Sequence, residues 1–397
     1  MLKSLKFEGL GPSDAFGPVE FASRLNFITG DNGLGKSFLL DIAWWTLTRT
    51  WARNSQAAPR RGAERSSIDY AYTKATPGAY SETSIFNREG QFWPVKPGRP
   101  PIPGVVIYAG VDGSFSVWDP ARNYWTAKED AANRERLRAF DFSPDQVWNG
   151  LVASGTRYCN GLIHDWVLWQ KGRDPAFGDL VKVLDALSPA PDERLEPGDP
   201  VRIGLDVTDY PSLRMPYGQD VPLIHASAGM RRITALAYLM VWTWREHLLA
   251  SEQIGKAPAK EIVFLVDEIE CHLHPQWQRR IVPALLNVMQ ALTGKQIPVQ
   301  LIVATHSPLI LASAEPAFDV DQDAVFTIAL RDGQAVVEQE VWAKQGDVVN
   351  WLVSHPVGAN GLDSKESIHK ALTDALPGGD HFWPRWIVWT ESRDRVG

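Results

Sequence analysis

Apolar segments of two lengths alternate along the second half of the chain. Residues 261–266 and 298–304 are short apolar runs of the kind found in buried strands, whereas residues 233–249 and 277–292 are long enough for helices. This alternation predicts parallel strands with crossover helices, and therefore an α/β fold. Two further strands, 324–330 and 335–341, are predicted to form a hairpin because the Asp332-Gly333 pair between them favours a tight turn.

The first half is predicted to contain a different arrangement. Short strands at 5–8 and 19–21 precede a strand at 25–29 and a helix at 36–51. Residues 68–125 carry alternating or β-rich runs, including 105–108 and 115–118, which predict a small antiparallel sheet. Residues 128–187 are mostly helical in pattern, and a Pro- and Asp-rich stretch at 188–200 marks a lobe boundary.

One motif gives the first chemical hypothesis. Residues 30–37 form a complete G-x-x-x-x-G-K-S phosphate loop between the predicted strand and helix, the context that a P-loop NTPase requires. Lys36 is expected to reach the β and γ phosphates, and the Ser37 hydroxyl to ligate Mg²⁺. The residues expected to surround the phosphates of ATP are Gly30, Asp31, Asn32, Gly33, Leu34, Gly35, Lys36, Ser37 and Phe38.

Two apolar strands end in polar residues. The strand at 261–266 leads into Asp267 and Glu268, and the strand at 298–304 leads into Thr305-His306-Ser307. Carboxyl ends of parallel strands face ligands, so Asp267 is predicted to bind Mg²⁺ and Glu268 to deprotonate an attacking water. His306 is predicted to hydrogen-bond the γ-phosphate or that water.

A second anion site is possible where the long helix at 233–249 begins. Residues 226–230 read Ala-Ser-Ala-Gly-Met, and small residues at a helix start expose backbone N–H groups and the positive end of the helix dipole. An ordinary Ser227 N-cap explains the same residues, and taken alone it is the favoured interpretation.

Composition limits the remaining possibilities. The chain of 397 residues is 44% hydrophobic with 17 tryptophans, which indicates packed structure, and no apolar run is long enough for a membrane span. Two cysteines do not make a disulfide framework, so a cytoplasmic location is expected. The formal net charge is −7, and the basic stretch Arg49–Arg65 is interpreted as a solvated mobile loop in preference to a DNA-phosphate contact.

The order of these motifs resembles ABC-type ATPases of the SMC, RecF and OLD-like branch, and most closely the compact bacterial "AAA family" ATPases, many of which belong to phage-defence systems. The resemblance implies an ABC-ATPase-like parallel-sheet core formed by residues 1–54 and 220–345. The resemblance does not extend to the other residues. Their patterns predict an antiparallel β lobe with a globular, mostly helical insertion at 55–219 and a C-terminal tail of helical and aromatic character at 346–397.

The same resemblance implies roles for individual residues. Ser227 and Gly229 would contact the γ-phosphate bound by the opposite subunit, Glu268 would be the general base and His306 the switch histidine. Residues 270–274 would communicate across a dimer. The usual Leu-Ser-Gly-Gly-Gln signature is reduced here to Ala-Ser-Ala-Gly-Met, and Gln146 is the candidate for the coupling glutamine.

Three functions follow as hypotheses. The leading one is an ATP-hydrolysing switch that works as a homodimer, or a higher oligomer, with a separate effector such as a nuclease, because the residues after 342 are too few for the Toprim nuclease of OLD-type relatives. The alternative is a DNA-repair or recombination ATPase that binds DNA directly through Arg49–Arg65. In a third, ATP holds an oligomer together without turnover. None of the three involves a membrane.

Overall fold

The computed structural model describes residues 1–73, 79–95, 104–123, 137–190, 193–293 and 297–340. The predicted C-terminal tail, with its aromatic stretch at 382–389, lies outside these residues. Eight α-helices lie within them, and none is long and apolar enough to cross a membrane. The helices are α1 (Lys36–Thr48), α2 (Pro144–Asn149), α3 (Leu162–Gly172), α4 (Pro175–Leu187), α5 (Ala228–Gln253), α6 (Pro275–Gln278), α7 (Ile281–Thr293) and α8 (Pro308–Ala314).

Strands make up the rest of the regular structure in this part of the chain. They are β1 (Leu2–Leu10), β2 (Ser13–Glu20), β3 (Leu25–Gly30), β4 (Ser67–Thr73), β5 (Ala79–Ile85), β6 (Val105–Ala109), β7 (Phe115–Trp118), β8 (Phe140–Phe142), β9 (Leu151–Ala153), β10 (Thr156–Cys159), β11 (Glu196–Pro197), β12 (Ser212–Arg214), β13 (Asp220–Pro222), β14 (Ile262–Asp267), β15 (Val299–Ala304), β16 (Asp323–Arg331) and β17 (Gln334–Glu340).

The main sheet has eight strands within the described ranges, in the order β17-β16-β3-β15-β14-β6-β7-β8. The five strands from β16 to β6 run parallel, and the edge strands pair antiparallel. The parallel pairing of β3, β14 and β15 confirms the predicted α/β core, and the hairpin of β16 and β17 is also confirmed. The carboxyl ends of β3, β14 and β15 therefore meet at one edge of the sheet.

Each face of this sheet is covered by a different layer. Phe264 and Val266 belong to the cluster that packs against α4, α5 and α7, whereas Val263 and Leu265 belong to the cluster that packs against α1 and a second sheet. This second sheet is antiparallel and has the order β2-β1-β4-β5 in the described residues. Alternate side chains of each central strand thus serve two cores, which explains why these strands read as unbroken apolar runs.

Strands β4, β5 and β6 join sheets other than the predicted ones. β4 and β5 are antiparallel as expected, but β4 pairs with β1, and the four strands form one sheet with β1 and β2, which are predicted to belong to the ATPase core. β6 was predicted to lie in the antiparallel lobe, but it is a parallel neighbour of β14 in the main sheet. The strand pairings thus cross residue 55, and the division of the chain into lobes stays a prediction. All five residues of β6 are buried, and such a short apolar run does not reveal whether its neighbour is parallel.

Two predicted helices also have different bounds. α1 ends at Thr48, because Arg49 adopts a left-handed conformation with φ 60° and closes the helix through its N–H to the Trp45 carbonyl. The helix predicted at 277–292 consists of the short α6 and then α7.

Candidate nucleotide-binding site

The phosphate loop, residues 30–37, connects β3 to α1 as its motif requires. Gly30, Gly33 and Gly35 have φ values of 129°, 81° and 96°, in the region that favours glycine. A Cβ on Gly30 would lie 2.2 Å from the Ile328 carbonyl oxygen of β16, and one on Gly35 would lie 2.7 Å from Pro12 Cγ. The loop is therefore shaped by β16 and by the turn between β1 and β2 as well as by its own sequence.

Lys36 lies inside this loop. Its Nζ donates to the carbonyl oxygens of Gly30 (2.8 Å) and Asp31 (3.0 Å), and the residue is buried. Burial lowers the pKa of the Lys36 amine, and the charges of Glu268 and Asp267 oppose this shift. The ammonium group thus faces the acidic end of β14. The Phe38 ring packs edge-on against Phe7, with 5.6 Å between ring centroids, so its contribution to a phosphate site is limited to its backbone amide.

Asp267 ends β14 and is almost fully buried, with 3% exposed. Burial is the main cause that raises the pKa of its carboxyl, whereas a hydrogen bond with the Ser37 side chain opposes the rise. Its Oδ1 atom is buried and has no hydrogen-bond partner in the described part of the chain. A buried carboxylate oxygen without a partner beside a serine hydroxyl is the kind of hard oxygen donor set that suits Mg²⁺, so the residues present fit this ion.

Glu268 follows in an unusual backbone conformation. Its φ is 46°, a left-handed value, and its N–H donates to the Ala304 carbonyl oxygen of β15 at 3.0 Å. Such conformations are uncommon outside glycine and are concentrated at functional sites. The turn directs the chain away from the sheet directly after Asp267, and the Glu268 side chain is left half-buried next to the buried carboxylate.

His306 lies in the segment that follows β15. We call residues 268–274 the acidic loop and residues 305–307 the histidine loop. Glu270 of the acidic loop accepts from Thr305 Oγ1 and from the His306 backbone N–H, both at 2.8 Å, and its Oε1 is 3.1 Å from His306 Nδ1. The His306 side chain itself is 44% exposed.

The helix start at Ser227 is built as an N-cap. Ser227 Oγ accepts from the Met230 N–H at 3.3 Å, and the residue is exposed at the beginning of α5. Gly229 is buried beneath the acidic loop, where a Cβ would lie 2.8 Å from the His272 carbonyl oxygen. Glycine at this position allows the helix and the acidic loop to meet. Contact of Ser227 with a nucleotide held by another subunit stays a prediction.

Gln146 has a local contact. Its side chain accepts from the Ser143 N–H at 2.9 Å and completes a capping box at the start of α2. This helix follows β8, three strands from β14 in the sheet order, or about 14 Å at the usual strand spacing. No hydrogen bond recorded in the described residues joins it to the phosphate loop, and its coupling role stays a prediction.

The basic stretch Arg49–Arg65 differs from the mobile, solvated loop expected. Arg49 pairs with the buried Glu82 at 2.6 Å, and Arg53 pairs with Asp41 at 3.2 Å. Arg60 lies 3.4 Å from Asp14. Three of the five arginines are thus engaged within the protein, and Arg61 and Arg65 are exposed.

Sequence reasoning missed a cluster beside Asp267. The Arg53 guanidinium lies 4.3 Å above the Tyr108 ring, and the Tyr108 hydroxyl donates to Asp41 Oδ1 at 3.0 Å. The charges of Arg53 and Asp41 both act on the pKa of Asp267, in opposite directions. Asp41 lies four residues after Ser37 on α1. Residues four apart on a helix are neighbours, so this spacing could have predicted that Asp41 lies near the phosphate loop. Arg53 carried no such signal, and Glu270 was indicated only by the resemblance, as the first residue of the 270–274 loop.

Comparisons with known proteins found relatives in sequence and similar solved structures. A relative from Vibrio cholerae serotype O1 biovar El Tor, described as a retron Vc95 probable ATPase, is 43% identical over 96 residues, which are 24% of this chain and 17% of that protein. The chain therefore matches less than a fifth of that relative's length. Similar solved structures include the SMC head domain from Thermotoga maritima, which is 15% identical and has a TM-score of 0.40. That match covers 86% of this chain and 99% of the SMC head domain. The recombination mediator protein RecF has 13% identity, coverage of 86% and 98%, and a TM-score of 0.39.

The family assignment rests on the longest match. A family described as "AAA domain, putative AbiEii toxin, Type IV TA system" matches residues 25–312, more than half of the chain, and spans the phosphate loop, Asp267, Glu268 and His306. The match confirms the predicted assignment to the AAA-family ATPases, and the predicted α/β fold with a parallel core is also confirmed. The chain belongs to this family of AAA-domain ATPases.

Proposed function

We propose that this protein binds ATP together with Mg²⁺, hydrolyses the ATP, and works as a conformational switch in an ABC-type homodimer. The observation that carries the proposal is the buried, unpartnered Oδ1 of Asp267 beside the Ser37 hydroxyl, directly before Glu268. Ser37 and Asp267 would hold the ion, which when bound would offset the negative charge of the phosphate oxygens.

Lys36 and Glu268 have separate roles in the proposed reaction. The ammonium of Lys36 would move from the Gly30 and Asp31 carbonyls to the β and γ phosphates, which it meets as stronger acceptors. Glu268 would orient a water and accept its proton. The water oxygen would then bond to the γ-phosphorus as the bond to the bridging oxygen breaks, releasing ADP and phosphate.

The dimer is proposed from the position of Ser227. It is exposed at the N-terminus of α5, where backbone N–H groups and the helix dipole favour an anion. A nucleotide on the phosphate loop of a second subunit would supply that anion. Hydrolysis would then remove the contact and separate the subunits.

The biological setting is a finer proposal. The relative described as a retron ATPase supports a sensor or regulator in an anti-phage defence system, where a separate effector such as a nuclease would carry out the response. A DNA-repair role through direct DNA binding is the alternative. It depends on Arg61 and Arg65, since Arg49, Arg53 and Arg60 already have acidic partners.

The first test uses two substitutions. Glu268→Gln should lower kcat by roughly 100-fold or more while ATP binding persists, because the amide cannot accept the proton. The variant should accumulate as an ATP-dependent dimer in light scattering. Lys36→Ala should abolish nucleotide binding in calorimetry. Wild-type turnover in Glu268→Gln would show that the base is another residue.

A mixing experiment tests the composite site. Lys36→Ala and Ser227→Arg should each be inactive alone, and their mixture should regain turnover, because each heterodimer contains one site with both residues intact. A mixture as inactive as its components would contradict binding in trans. Turnover that DNA stimulates and salt suppresses would favour the DNA-repair alternative.

A further inference from the structure

A cavity of about 310 Å³ lies between β10, α3 and α5, and we call it the Asp165 pocket after one of its lining residues. Its volume is in the range of pockets that hold small ligands. Trp242 and Arg245 of its lining follow Ser227 on α5 by 15 and 18 residues. At a rise of about 1.5 Å per residue they lie about 22 Å or more along the helix from Ser227. The pocket is therefore separate from the proposed ATP site.

Two tryptophan rings form part of the pocket wall. Trp242 is 5% exposed and meets the rings of Phe140 and Phe142 edge to face, at centroid distances of 5.6 and 5.3 Å. Trp169 packs on Tyr238, with 5.6 Å between the ring centroids. Packing thus holds both indoles in place without a ligand. Fixed aromatic surfaces of this kind suit a planar ring system, such as a nucleobase.

One carboxylate in the wall has no cation beside it. Asp165 is 4% exposed, and its oxygens accept one hydrogen bond each, from Asn160 Nδ2 at 2.8 Å and from the Tyr238 hydroxyl at 2.7 Å. No lysine or arginine in the described part of the chain forms an ion pair with it, and burial raises the pKa of its carboxyl. A carboxylate has about four acceptor positions, so about two remain for the N–H donors of a ligand.

The arginines of the pocket favour an anionic group at its opening. Arg157 is exposed and makes no ion pair within the described ranges. Arg245 and Glu246 are each paired with an oppositely charged residue of another segment, which leaves the buried Asp165 and the exposed Arg157 as the unpaired charges. A cationic ligand would meet two arginines. A ligand with N–H donors at one end and an anion at the other would meet complementary groups at both.

We propose that the Asp165 pocket binds a guanine nucleotide, either free or as part of a single-stranded nucleic acid. Guanine is planar, and its N1–H and N2 amino group are adjacent donors that one carboxylate accepts as a pair. Adenine, cytosine and thymine place an acceptor beside each donor on that edge. The base would lie against Trp169 and Trp242, with its donors on Asp165 and its phosphate near Arg157. This second nucleotide site goes beyond the proposed ATP hydrolysis.

Calorimetry with GMP tests the pocket. Lys36→Ala, which should no longer bind ATP at the phosphate loop, is the background in which only the second site remains. GMP should bind it at about one per chain, and AMP at least about tenfold more weakly, because AMP offers Asp165 no donor pair. Absence of GMP binding at about 1 mM, or equal binding of AMP, would overturn the proposal.

Substitution of the carboxylate gives a readout that a structural role would not move. Asp165→Asn keeps the shape and exchanges one acceptor oxygen for an amide donor. In the same background it should lower GMP affinity at least about tenfold and create affinity for xanthosine monophosphate, whose C2 carbonyl accepts where guanine donates. Unchanged GMP affinity in Asp165→Asn would overturn the base contact.

An exposed residue provides a variant that should fold normally. Arg157→Ala should weaken GMP binding at least about threefold and leave guanosine binding unchanged, because guanosine has no phosphate. Arg194→Ala is the matched control, since Arg194 is an exposed arginine outside the pocket lining and should bind GMP like the parent. Equal losses in Arg157→Ala and Arg194→Ala would contradict the phosphate contact.

Competition distinguishes the sources of the ligand. A short single-stranded oligonucleotide with one guanine that displaces GMP, when its adenine counterpart does not, supports a nucleic acid as the source. GMP binding that this oligonucleotide cannot displace supports a free nucleotide. Arginine amide represents a cationic side chain of a partner protein and should not displace GMP. Binding of arginine amide without binding of GMP would overturn the proposal.

Discussion

Two histidine–carboxylate pairs in this molecule have similar chemistry and different surroundings. His247 near the end of α5 has its Nδ1 2.6 Å from Asp119 Oδ1, and the two side chains are 2% and 3% exposed. His306 has its Nδ1 3.1 Å from Glu270, with the imidazole 44% exposed. The first pair is enclosed in the core, and the second opens at the edge of the sheet.

The two histidines differ in whether the second ring nitrogen, Nε2, has a partner. His247 Nε2 accepts from the Ala259 N–H at 2.8 Å, so both of its nitrogens have partners, and it connects the segment after β7 to α5 and residue 259. Ser251 Oγ lies 3.5 Å from the same nitrogen, which gives a Ser–His–Asp order that superficially resembles a hydrolase triad. All three residues are buried, so no substrate can approach, and the group is structural. A histidine–carboxylate pair indicates chemistry only where the other nitrogen remains accessible.

The largest expected difference is in catalysis. His306→Ala should lower kcat by about 100-fold if the imidazole contacts the γ-phosphate as proposed, and should leave the free energy of unfolding nearly unchanged, because the side chain is 44% exposed. Steady-state kinetics and urea denaturation of the same preparation measure both quantities. A large loss of stability with normal kcat would reverse the assignment of the two pairs.

His247→Ala should have the opposite effect. It removes the hydrogen bonds to Asp119 Oδ1 and to the Ala259 N–H, of which only the Asp119 oxygen keeps another donor, the Ala121 N–H. This loss should cost about 2–3 kcal/mol of unfolding free energy. The kcat of the folded fraction should stay the same. His247→Asn retains a donor for Asp119 and should lose less. Reduced kcat without destabilisation would contradict a purely structural pair.

The smallest effects are expected from the hydroxyl beside each pair. Thr305→Val removes a 2.8 Å bond to Glu270 and an acceptor for the Ser307 N–H, so it should lower stability by about 1 kcal/mol and slow turnover by a few fold. Ser251→Ala removes only a 3.5 Å contact and should change stability by less than about 0.5 kcal/mol. If Thr305→Val and Ser251→Ala changed stability and turnover equally, the two hydroxyls would not differ in their importance for the two pairs.

Local patterns were sufficient for the parts of the site that are close in sequence. The phosphate loop, the apolar strand before Asp267 and Glu268, and the hairpin at Asp332-Gly333 each carry their signal within ten residues, and the structure has the predicted elements there. The meeting of β3, β14 and β15 at one edge followed from the rule for parallel strands.

The remaining features depend on contacts between distant segments. Asp119 and His247 are 128 residues apart, and Glu270 reaches residues 35 and 36 positions away. β6 was misplaced because a short apolar strand carries no record of its neighbour's direction. The arginines of the 49–65 stretch were predicted to be solvated because their acidic partners lie on other elements, such as Glu82 on β5 and Asp41 on α1.

Strand β16 has a consequence for dissecting this protein. It pairs with β3 along Asp323–Ile328, and its Ile328 carbonyl occupies the space that a side chain on Gly30 would need, yet the family match ends at residue 312. A fragment trimmed to the matched region would turn the strand that carries the phosphate loop into an unprotected sheet edge, prone to aggregate. Minimal versions for biochemistry should therefore be cut after residue 340, because the strand that borders the phosphate loop lies beyond the matched region.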